Sequence, residues 1–78
     1  MHEVGIAKEM LELALEKAKG KKIKNMVIEL AEDGHTTPES LKDAFSLVAR
    51  GTVAENASLQ IIRIRDFDSR LLELEVEE

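Results

Sequence analysis

The sequence opens Met-His-Glu-Val, and a histidine second from an amino terminus is a chelating unit in its own right. The α-amine of Met1, the deprotonated amide of His2 and the imidazole of His2 close small rings around one ion, nearly in a plane. Such a nitrogen-rich plane suits Ni(II) or Cu(II). The amide of Glu3 or an outside donor completes it. The unit requires that Met1 be kept, which is the norm when the next residue is as large as histidine. The competing reading of the same residues is a frayed terminus in which His2 is incidental and Glu3 serves only the dipole of a following helix.

The other candidates are weaker. His35 stands in a turn segment, as a solvated turn residue, in a local hydrogen-bond role or as an auxiliary ligand. The 16 acidic residues are read mainly as solvation and as helix and strand charge balance. No Gly-x-Gly-x-x-Gly or Walker motif is present. Ser40, Ser46, Ser58 and Ser69 fall at helix and strand positions that form no nucleophile elbow. An enzyme is therefore not expected. With no cysteine there is neither a disulfide nor a thiolate metal site.

A net charge of −5 argues against nucleic-acid and anionic-membrane partners, which demand a surplus of positive charge. Two aromatic residues, Phe45 and Phe67, give no stacking platform. The lysines of KAKGKKIK, residues 17–24, are a local exception and read as a solvated face. No stretch approaches the roughly 20 apolar residues of a membrane span, and the basic-then-apolar order of a signal peptide is absent. A cytoplasmic setting is the expectation.

These 78 residues are expected to form a single α+β domain in the order α-β-α-β-β, two helices on one face of a three-stranded mixed β-sheet. Val4, Ala7, Met10, Leu11, Ala14 and Ala18 recur at helical spacing, and Gly20 is the natural stop. IKNMVIELA reads as the first strand. A second helix follows, with Thr36 and Glu39 at capping-box spacing, Pro38 in the first turn, Leu41, Ala44, Phe45 and Val48 inward, and Gly51 closing it. SLQIIRIR and LLELEVE are the last strands. Joined by DFDSR as a hairpin, they place Arg63 opposite Glu73 and Ile62 opposite Leu74. The doublet Ile61-Ile62 breaks the alternation and suggests a bulge or a twist. A right-handed helical crossover makes strands one and two parallel, with strand three antiparallel.

Taken together, MHEV at the start, VIELAEDGHTTPESLKDAF, ARGTVAENASLQI and the terminal LELEVEE resemble the HypA/HybF family of nickel metallochaperones, in order and over nearly the whole chain. The resemblance implies a cytosolic accessory protein that binds Ni(II) and helps insert it into the large-subunit precursor of NiFe-hydrogenase, in some organisms also serving urease. It implies a HypB-type GTPase as a further partner. The nickel site it implies is Met1, His2 and Glu3, the imidazole from His2 and main-chain nitrogens from Met1 and Glu3, with Glu3 also a possible partner contact. The family carries a zinc module with two Cys-x-x-Cys pairs between the last two strands. Here that module, expected between residues 65 and 71, is missing, so no zinc is expected. An interaction module that keeps the scaffold and partner surface but not nickel delivery is the alternative.

Overall fold

The computed structural model describes residues 2–32 and 35–78, with only the backbone for His2. Its elements are α1 (His2–Ala18), β1 (Ile23–Ala31), α2 (Pro38–Val48), β2 (Ser58–Ile64) and β3 (Arg70–Val76). This is the α+β architecture that the hydrophobic periodicity demands.

Helix α1 turns Ala7, Met10, Leu11, Ala14 and Ala18 inward, one stripe at helical spacing. Leu13 lies outside that stripe and is exposed. The helix stops where Lys19 and Gly20 take positive φ, 51° and 85°. Helix α2 buries Leu41, Ala44 and Phe45. Alanines at 7, 14, 18, 44, 49 and 54 let the backbones approach, and the larger side chains Met10, Met26, Ile28, Leu30, Leu41 and Phe45 fill the space between helices and sheet.

The cap of α2 lies one residue later than the Thr36–Glu39 spacing suggests. Thr37 is the N-cap, with extended backbone at φ −107° and ψ 161°. Its Oγ1 accepts from the Ser40 amide at 3.0 Å, and Ser40 Oγ accepts from the Thr37 amide at 3.0 Å. Pro38 dictates this frame, because a proline excludes helical backbone from the residue before it. Thr36 is instead buried. The helix ends on Ala49, and Gly51 takes its positive φ of 77° in the turn beyond.

The sheet order is β2-β1-β3. Strand β1 pairs parallel with β2 from Asn25↔Ser58 to Ala31↔Ile64, and antiparallel with β3 from Ile23↔Val76 to Glu29↔Arg70. The mixed sheet and both strand directions agree with expectation, but the β2–β3 hairpin does not form: β1 stands between those strands. Arg63 lies level with Leu30, which points into the core, and Glu73 lies level with Val27 on the opposite side. Paired residues share a face, so the expected Arg63–Glu73 pair is split across the sheet.

The doublet Ile61-Ile62 carries no bulge, since the β1–β2 register runs unbroken. Ile61 packs toward the core and Ile62 emerges on the open face. The irregularities are on the other side. One falls between Ile23 and Asn25, and the other between Val27 and Ile28, where β3 carries Leu72 as an extra residue. That insertion changes the phase of LLELEV, so Leu71, Leu74 and Val76 pack on the core while Leu72 is exposed.

Candidate metal centre

Helix α1 begins at His2, so the Met-His-Glu unit coincides with a helix start. Met1 lies outside the described residues, as does the His2 side chain. The His2 backbone opens the helix, and Glu3 sits half-buried in the first turn, an acidic residue where the helix dipole favours one. In an α-helix the first four N–H groups have no intrahelical acceptor. The amides of His2 and Glu3 fall in that group.

Helix α2 starts at the same end. The β1-α2-β2 crossover between parallel strands sends α2 back from the C-terminal end of β1, and α1 runs alongside it. Glu3 and Val4 line a shallow groove with Ser40, Asp43, Ala44 and Leu47 of α2. Asp43 and Leu47 are exposed in it. Two helix N-termini therefore share one end of the molecule. His35 is exposed in the bend just before α2, at that end too.

The crossover from β2 to β3, residues 65–69, passes over the C-terminal end of β1 and is fastened there. Ser69 Oγ accepts from the Ala31 amide at 2.8 Å. Arg70 donates through Nε to Glu29 at 2.6 Å and through Nη2 to Asp66 at 3.0 Å. Asp66 also accepts from the Phe67 amide at 2.7 Å. Phe67 itself is 98% exposed.

Among the described residues, no group of three or more His, Cys, Asp or Glu is gathered closely enough to hold a metal ion. Among them also, no helix is long and apolar enough to cross a membrane. The neighbourhood of Glu3 with Ser40 and Asp43 escaped the sequence reading. Those residues lie far apart in the chain, and only the fold brings them together.

A small α+β domain of two helices on a mixed three-stranded sheet is also the fold of a nickel metallochaperone of known structure. The solution structure of the Ni metallochaperone HypA from Helicobacter pylori superposes with a TM-score of 0.78, covering 95% of this chain and 96% of that one at 18% identity, a likeness of fold alone. A family model, HypA, described as hydrogenase/urease nickel incorporation, metallochaperone, matches residues 1–66. This chain belongs to the HypA family. The hydrogenase maturation factor HypA of Nostoc punctiforme is 33% identical over 64 residues, spanning 82% of this chain and 57% of that protein. Its counterpart in Methanosarcina acetivorans is 38% identical over 60 residues, 73% of this chain and 45% of its own length. The chain thus spans about half the length of the curated relatives it matches.

Proposed function

We propose that this chain is a cytoplasmic nickel-binding metallochaperone domain that assists nickel insertion into NiFe-hydrogenase, holding Ni(II) as cargo through Met1, His2 and Glu3. The observation that carries the reading is the start of α1 at His2. Square-planar chelation uses the deprotonated amides of His2 and Glu3, and amides of a first helical turn can lose their protons without breaking any helix hydrogen bond. The same position favours negative charge, so amidate nitrogens are supported by the helix dipole. The Met1 amine and the His2 imidazole supply the remaining donors.

The partners on this reading are a HypB-type GTPase and the hydrogenase large-subunit precursor. The zinc module is read as absent between residues 65 and 71. The family match ends at residue 66, the curated relatives are longer, and the chain has no cysteine with which to build such a module.

Isothermal titration of tag-free protein with a native terminus tests the site. One Ni(II) per chain is expected, with affinity falling as pH falls, because amine, amides and imidazole must all be deprotonated to bind. Cu(II) is expected to bind more tightly than Ni(II), following the usual divalent order. His2→Ala, or a short extension ahead of Met1, abolishes binding. Unchanged nickel affinity in either variant would place the metal elsewhere. If His2→Ala also leaves hydrogenase maturation unchanged, the interaction-module reading takes over.

A further inference from the structure

We propose that Phe67 is the anchor by which this chain docks onto the nickel-receiving protein, inserting its ring into an apolar pocket rimmed by basic side chains on the hydrogenase large-subunit precursor. The proposal rests on the nickel-delivery reading above for the identity of that protein. The geometry stands apart from it.

A phenylalanine that is 98% exposed gains nothing from the fold. Loose loops often carry such residues, but this loop is tied down. Within five residues the crossover makes bonds to β1 through Ser69 and, at its end, through Arg70, and Asp66 ties both Arg70 and the Phe67 amide. The ring therefore projects from a backbone already ordered, and docking it costs little further chain entropy. Large aromatic side chains seated in a partner's pocket are the usual anchors of protein interfaces.

Position and charge select the partner. The crossover lies over the C-terminal end of β1, the end at which α1 and α2 both begin. The surface around Phe67 thus lies at the same end of the sheet as the start of α1, where the cargo is proposed to sit, and suits a recipient. Phe67 stands between Asp66 and Asp68, with Glu32 beside it across an open concavity that Arg65 also lines. Arg70 and Asp66 are already engaged with each other, and Arg70 also with Glu29, which leaves Asp68 and Glu32 against Arg65. Acid thus predominates around the ring, and a basic rim on the partner complements it.

Biolayer interferometry with purified large-subunit precursor immobilised, and the whole chain in solution, tests this. The unmodified chain is expected to bind, more weakly at higher salt as the rim charges are screened. Phe67→Ala should weaken binding at least about tenfold, the scale of losing an interface anchor. Phe67→Leu should retain most of the affinity, and both variants should keep the far-UV circular dichroism and nickel stoichiometry of the parent. If nickel binding fails while the Phe67 dependence persists, the metal site is wrong and the anchor stands. The anchor is overturned if the unmodified chain does not bind the precursor, or if Phe67→Ala binds it equally well. It is likewise overturned if Phe67 proves to govern only self-association or binding to the GTPase.

Discussion

Arg70 holds three parts of the molecule together: its own strand, the central strand through Glu29, and the crossover through Asp66. Exposed ion pairs contribute at most about 1 kcal/mol, and Arg70 is more than half exposed. Glu29 is better shielded, its side chain 20% exposed, so Arg70→Ala is expected to cost about 1 kcal/mol, or roughly 4–8 °C in Tm for a domain of this size. Thermal melts at low and high salt would check both the size and the electrostatic origin. Lys19 offers the opposite case. It carries a side chain at φ 51°, where an L-residue with a Cβ is disfavoured. Lys19→Gly should stabilise the protein by up to about 1 kcal/mol, and a fall in urea midpoint would refute the strain argument.

At the scale of elements, the start of α2 separates two readings of one short sequence. Thr37→Ala removes the acceptor for the Ser40 amide and should cost about 1 kcal/mol, whereas Glu39→Ala should be nearly neutral. A loss for Glu39→Ala with none for Thr37→Ala in urea titrations would restore the Thr36–Glu39 frame. The sequence signal for the correct frame is Pro38, whose constraint on the preceding residue outweighs the Thr-x-x-Glu spacing. The helices and strands were legible because alternation and helical spacing report which face each residue occupies. Neighbour order was not. Strands β2 and β3 carry opposite charges in apparently matching positions, yet nothing local to them reveals that β1 lies between. The Leu72 bulge was hidden for the same reason: a run of Leu and Glu fits either phase, and only the register against Val27 and Ile28 decides. The Met-His-Glu unit could be read directly, since its donors are adjacent in the chain. The groove that brings Asp43 beside Glu3 could not, since it is a product of the fold.

As a whole molecule, the domain has little stability to spare. At the usual 0.05–0.15 kcal/mol per residue, 78 residues are worth about 4–12 kcal/mol. Phe45 is the sole aromatic residue in the core, and Phe45→Ala should remove about 3–5 kcal/mol, a large part of the total. Denaturant unfolding followed by circular dichroism should show a midpoint lowered accordingly, and a shift below 1 kcal/mol would mean that the core closes over the gap.

The central placement of β1 also sets an order of events. This strand is the first of the three to be made, yet it acquires neighbours only when β2 and then β3 have emerged, and its pairing with β3 joins Ile23 to Val76. Until then an apolar strand has two unsatisfied edges and no lasting cover for Met26, Ile28 and Leu30. Sequence-distant pairing of this kind slows folding, because loop-closure entropy is spent before contacts repay it. A nascent chain lacking its final residues therefore has no partly finished native state in which to wait, and free fragments ending before Arg70 should be protease-sensitive along their whole length.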